Sequence, residues 1–143
     1  MSGPYVYPAP KLLIGEPHVA DKAGRNLGQC VSLLKHYIED LQDRLSSSWK
    51  EGDNVIETLK KGDEILEGTA IATFRNGEFV SGNGHAALFS CYKEEKGEIF
   101  IVVVDQYSSS GGIVERRLKN FGQNADGTWE NQSNNGRAFS VIL

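Results

Sequence analysis

The spacing of hydrophobic residues changes twice along this chain. Over residues 1–24, short apolar pieces such as Tyr5–Tyr7 and Leu12–Ile14 are interrupted by glycine and by all four prolines. That composition disfavours helix and predicts an extended arm over residues 1–24. From Gln29 to Leu45 the period becomes helical, with Val31, Leu34, Ile38, Leu41 and Leu45 on one stripe that Leu33 and Tyr37 widen. Lys35, Glu39, Asp40 and Asp43 fall on the other side. One long helix is expected there, ended by Ser46–Ser48. Asp53 or Asn54 can then cap a short helix over Val55, Ile56 and Leu59, with Gly62 stopping it.

Beyond Gly68 the pattern is that of strands. "GTAIATF" is followed by an Asn76-Gly77 turn signal, and "HAALFSCY" and "EIFIVVVDQY" flank a "KEEKGE" turn. "GIVERRLKNF" and the terminal "RAFSVIL" supply two more strands, with the polar loop "GQNADGTWENQSNNG" between them. Helices come first and antiparallel strands after, which is the α+β class. No internal repeat or second domain is visible, so residues 1–143 read as one domain.

Composition narrows the function. Hydrophobic residues make up 39% and charged residues 24%, values of an ordinary globular chain with a real core. A net charge of -4 argues against nucleic acid as partner, because phosphate binding wants a basic face. No apolar run approaches the roughly 20 residues of a membrane span. The N-terminus lacks a basic segment followed by an apolar one, so no secretory signal is expected. Two cysteines make no disulfide framework, and Cys and His are too few and too scattered for a structural zinc site. No cofactor is expected.

Three residues draw attention together. Cys30 opens the predicted long helix, where first-turn N–H groups and the helix dipole favour thiolate over thiol. His85 opens a strand after "SGNG", and Asp105 ends the apolar run "IFIVVV", where a core-facing residue would not carry charge. If the "KEEKGE" turn leaves about three or four loop residues, Asp105 returns opposite or next to His85. Each has an ordinary reading alone: a small buried hydrophobe, a surface imidazole, a turn aspartate. Jointly they form a nucleophile, a base and an orienter. Gln106 and Tyr107 follow Asp105 toward the same cleft. Cys91 and Trp49 read as core. Arg116 and Arg117 alternate, so only one can face a cleft, where it could hold a substrate carboxylate.

"GQCVSLLKHY", "GTAIATF", "GHAALF" and "VVVDQY" together resemble the CHAP and NlpC-type branch of the papain-like cysteine peptidases over roughly residues 24–107. The chain looks closest to small, single-domain bacterial members, some of which are amidase effectors of type VI secretion. The resemblance implies a papain-like fold and hydrolysis of amide bonds in peptidoglycan stem peptides. It makes Cys30 the attacking group, His85 the proton carrier and Asp105 the holder of the imidazole, with the Cys30 N–H as oxyanion donor. Relatives often carry a Tyr upstream of the Cys. No Tyr lies between Tyr7 and Cys30, so Gln29 or Asn26 is the candidate second donor, with Gln106 a further substrate-binding candidate. The resemblance also implies synthesis in the bacterial cytoplasm, export by a specialised secretion machine, action in a periplasm, and a cognate immunity protein that plugs the cleft. Two other readings fit the same residues: an inactive binding module of this fold that recognises cell-wall peptide or a protein partner, and a cytoplasmic thiol acyltransferase.

Overall fold

The computed structural model describes residues 3–80 and 82–143. Met1 and Ser2 of the predicted arm and Ser81 of the "SGNG" approach lie outside the described residues. The core is one six-stranded antiparallel sheet in the order β1-β6-β2-β3-β4-β5. Its strands are β1 (Glu51–Asn54), β2 (Ala70–Thr73), β3 (Ala86–Glu95), β4 (Glu98–Asp105), β5 (Val114–Arg117) and β6 (Phe139–Ile142). The helices are α1 (Cys30–Tyr37) and α2 (Val55–Lys60). This is the α+β arrangement expected.

The middle strands are apolar on both faces because both are covered. Ala70, Ala72, Ala86, Leu88 and Val104 pack with Leu33, Leu34, Leu41 and Trp49 on the α1 side. Ile71, Ala87, Phe89, Ile101, Val103 and Phe139 pack with Val55, Ile56 and Leu59 on the α2 side. The three alanines on the first face leave room for α1 to lie close.

Three expectations need correction. The helix predicted over Gln29–Leu45 stops at Tyr37. Ile38 turns to an extended conformation (φ -110°, ψ 107°), and a 3-10 turn over Glu39–Leu41 follows. The i, i+3 step from Ile38 to Leu41 suits a 3-10 turn as well as a helix, and both side chains are buried; Leu45, the last of the stripe, is 71% exposed. Strand β1 was not foreseen. "EGDN" has no apolar residue, but as an edge strand it needs only backbone pairing to β6. The β3–β4 hairpin closes on two residues, Lys96 and Gly97, both at positive φ, so that Glu95 pairs with Glu98. Asn54 caps α2 by accepting from the Glu57 N–H, as one of the two expected candidates.

Candidate active site

A single extra residue in β3 determines which side chains meet. From the turn, Glu95 pairs with Glu98 and Cys91 with Val102. Continued unbroken, that register sets Asp105 against Leu88, on the face opposite His85. A β-bulge at Ser90 advances β3 by one residue, so that Phe89 pairs with Val103 and Leu88 with Val104. Asp105 thereby comes level with Ala87 and shares a face with His85, two residues along the strand. The distance is closed by the side chains: His85 Nε2 lies 2.7 Å from Asp105 Oδ2. Both are buried, His85 at 6% and Asp105 at 0% exposure. Phe139 stands edge-on to the imidazole and helps hold its plane.

Cys30 arrives from the other layer. It is the first residue of α1 and shares one cleft with His85 at the start of β3, where its thiol faces the imidazole and lies near the Ala86 and Val31 N–H groups. Asp105 occupies Nε2, which leaves Nδ1 for the thiol. Burial pushes the Cys30 pKa up, but the hydrogen bond and charge of His85, helped by those two N–H groups, outweigh it and hold the thiol below its ordinary value. Burial likewise disfavours the imidazolium. The Asp105 hydrogen bond and the Cys30 partner overcome that and lift His85 from 6.5 to about 9. His85 is therefore imidazolium at neutral pH, and its charge draws Cys30 toward thiolate.

Asp105 has a second partner that sequence reasoning missed. On β5, Val114 pairs with Asp105, so Arg116 sits diagonally across from it on the same face. Its Nη2 lies 2.6 Å from Oδ2 and its Nε 3.2 Å from Oδ1. The guanidinium also reaches Asn134 Oδ1 and lies over the Tyr107 ring. Of the two alternating arginines Arg116 faces the site, but it is engaged by Asp105 rather than left free for a substrate carboxylate. The signal was available: a carboxylate buried at a strand end demands a counter-charge, and "VERR" is the next strand.

The remaining candidates separate. Asn26, Gln29, Cys30, Phe79, Gly84 and His85 line a cleft of about 360 Å³. A second hollow of about 410 Å³ lies on the far side of His85, between Tyr107, Arg116 and Asn134. Gln29 is exposed at the cleft wall and its side chain does not cap α1. Asn26 also borders the cleft, in a left-handed conformation (φ 58°) with its amide turned toward Asp21. Gln106 is a correction. At 0% exposure it does not reach the cleft, and its amide is bonded to the backbone of Val19 and Gln29. Tyr107 does line the cleft. Cys91 is half-exposed, belongs to neither core cluster, and like Cys30 is a free thiol. Trp49 is buried against Phe79, as expected of a core anchor.

The model of the domesticated amidase effector 2 family matches residues 10–142. The chain belongs to that family. A type VI secretion amidase effector 2 protein of Salmonella typhi is 34% identical to it over 148 residues, covering 97% of this chain and 98% of its own. The solved structure of a type 6 secretion amidase effector 2 is similar with a TM-score of 0.76 at 31% identity, covering 98% of this chain and 94% of that one. The family match spans the residues that carry the thiol, the imidazole, the carboxylate and the arginine. It places the chain among amidase effectors, and the antiparallel α+β architecture matches that relative. Among the described residues no helix is long and apolar enough to cross a membrane.

Proposed function

We propose that this family member is a cysteine amidase of the papain-like, NlpC type, which hydrolyses peptide amide bonds in the stem peptides of bacterial peptidoglycan. The observation that carries the proposal is that the Cys30 thiol and His85 line one cleft, and that the His85 imidazole is hydrogen-bonded to the buried Asp105 carboxylate. The relatives, described as type VI secretion amidase effectors, support amide bonds as the target, and the peptidoglycan stem peptide follows from the resemblance of the Cys, His and Asp motifs.

The Cys30 thiolate attacks the amide carbonyl, and the charge developing on its oxygen is received by the Cys30 N–H at the start of α1. The His85 imidazolium gives its proton to the leaving amine, and an acyl thioester remains on Cys30. His85, now neutral, takes a proton from water as that water attacks the thioester, and the carboxylate product leaves. Asp105 fixes the imidazole's plane and tautomer, and Arg116 fixes Asp105. Gln29 at the cleft wall is the candidate second oxyanion donor, with Asn26 beside it. Delivery into a periplasm by a type VI machine, and an immunity protein that covers the cleft, complete the proposal.

Digestion of purified peptidoglycan tests it. The wild type releases peptide fragments whose masses identify the bond, Cys30→Ala releases none, and Asp105→Asn is slower by on the order of a thousandfold. No release by folded, reduced wild type across several wall types contradicts the amidase and favours the binding module.

A further inference from the structure

Asp105 and Gln106 are neighbours at the end of β4, so their side chains leave opposite faces of the sheet. Asp105 goes to the imidazole. Gln106 goes to the α1 layer, where it is completely buried and fully bonded. Its Oε1 accepts from the Val19 N–H at 2.9 Å, and its Nε2 donates to Val19 O and to Gln29 O, each at 2.8 Å. Val19 O also accepts from Gly28 N–H at 3.2 Å. Gln106 thus closes the whole run-in from Val19 to Gln29 that precedes the thiol. That run-in bends through three left-handed residues, Gly24 (φ 80°), Asn26 (φ 58°) and Gly28 (φ 82°), and the His18 ring lies against Gly28. The loop has no regular structure of its own, and its last carbonyl, Gln29 O, is held by two donors: the Ser32 N–H of the first turn of α1 at 3.1 Å and Gln106 Nε2.

The bond to Gln29 O has a direct consequence. The peptide linking Gln29 to Cys30 is planar and trans, so its C=O and N–H point in opposite directions in one plane. Fixing the carbonyl oxygen fixes where the Cys30 N–H points. We infer that Gln106 is a positioning residue for the oxyanion donor: by holding Gln29 O, it aims the Cys30 N–H at the oxygen of the tetrahedral intermediate. Gln106 touches no substrate and acts through the Gln29–Cys30 peptide. The two residues at the end of β4 then set both halves of the chemistry, Asp105 the base and Gln106 the oxyanion site. This rests on Cys30 acting as the nucleophile.

The test compares two reactions of the same sulfur. With p-nitrophenyl acetate, Cys30 forms an S–C bond to the acyl carbon through an oxyanion intermediate, and p-nitrophenolate leaves. With iodoacetamide, Cys30 forms an S–CH2 bond and iodide leaves, with no oxyanion. Both rates are measured on the full chain of the wild type, Gln106→Met and Gln106→Ala, with Tm recorded for each. Val19 O keeps Gly28 N–H and Gln29 O keeps Ser32 N–H as donors, so only the Val19 N–H is orphaned and the variants are expected to fold. Acylation relative to alkylation is expected to fall about tenfold in both variants, part of the loss seen when a whole oxyanion donor is removed. An unchanged ratio, whether both rates hold or both fall together, overturns the assignment and leaves Gln106 a structural tether. A wild-type thiol that reacts with neither reagent overturns this inference and the nucleophile role of Cys30 at once. Peptidoglycan left intact by a wild type whose ratio does respond to Gln106 counts against the substrate alone.

Discussion

Asp105 is the residue on which the site's charge balance turns. It is fully buried yet touches two groups that carry positive charge, the His85 imidazole and the Arg116 guanidinium, while the Cys30 thiol shares the cleft with the imidazole. Two cationic partners on one carboxylate are how that buried charge is tolerated. Removing the guanidinium leaves Asp105 with one partner. Arg116→Ala is expected to cost about 3 kcal/mol in urea denaturation, and Arg116→Lys to recover only part, because one ammonium cannot span both carboxylate oxygens. A loss below about 1 kcal/mol, the size of an exposed pair, contradicts this account. His85 gives a pH signature. Lifted from 6.5 to about 9, it binds its proton more tightly folded than unfolded, so its stabilising contribution is whole below pH 6.5 and is lost as pH rises through about 9. The Tm gap between wild type and His85→Ala should narrow across that window; a gap that stays constant argues against the ion pair.

Among the elements, the bulge in β3 matters most for the site and was the least legible. The apolar runs in "HAALFSCY" and before Asp105 predict two paired strands, but nothing in them marks Ser90 as extra. The expected neighbourhood of His85 and Asp105 was reached from a longer turn, whereas the chain makes a two-residue turn and restores the face with the bulge. Deleting Ser90 removes the extra residue itself and leaves a regular ladder in which Cys91 still pairs with Val102 and Phe89 with Val103, so Asp105 stays level with Ala87. The deletion variant is therefore expected to keep peptidoglycan release near that of the wild type. Release reduced to the level of Cys30→Ala, in protein that still shows strand circular dichroism, would mean that the bulge itself and not the pairing beyond it positions the site. The start of α1 was legible from Cys30 onward, because the apolar stripe begins there. Its end was not, because Ile38 and Leu41 bury their side chains equally well from a 3-10 turn. Strand β1 escaped for a related reason: an edge strand of polar residues leaves no hydrophobic period to read.

At the scale of the whole molecule, the sheet is a wall between two cores, and the site sits where its end is open to both. His85 and Asp105 belong by alternation to the α2 side, Cys30 and Gln106 to the α1 side, and the two halves meet around the start of β3. The N-terminal arm ties this end together. The Tyr7 N–H bonds to Gly68 O, Gly15 and Glu16 exchange bonds with Ile113, and Gln106 holds Val19. The arm was legible from its prolines as mostly extended chain, but the 3-10 turn over Pro10–Leu13 was not, since Pro at a first turn position starts such a turn as readily as it blocks a longer helix. The arm's role in carrying the run-in to Cys30 was not legible either, since the bonds it makes are to residues that lie some 60 to 100 positions away, as Tyr7 to Gly68 and Gly15 to Ile113 do. The proposed chemistry requires one thiolate against one imidazolium, and the rate of Cys30 alkylation as a function of pH measures that pair most directly. The account predicts that wild-type Cys30 reacts at a nearly constant rate across neutral pH, and that His85→Ala shifts the onset up to the range of an ordinary cysteine. A wild-type thiol that gains reactivity only in that ordinary range, unchanged by His85→Ala, would contradict it.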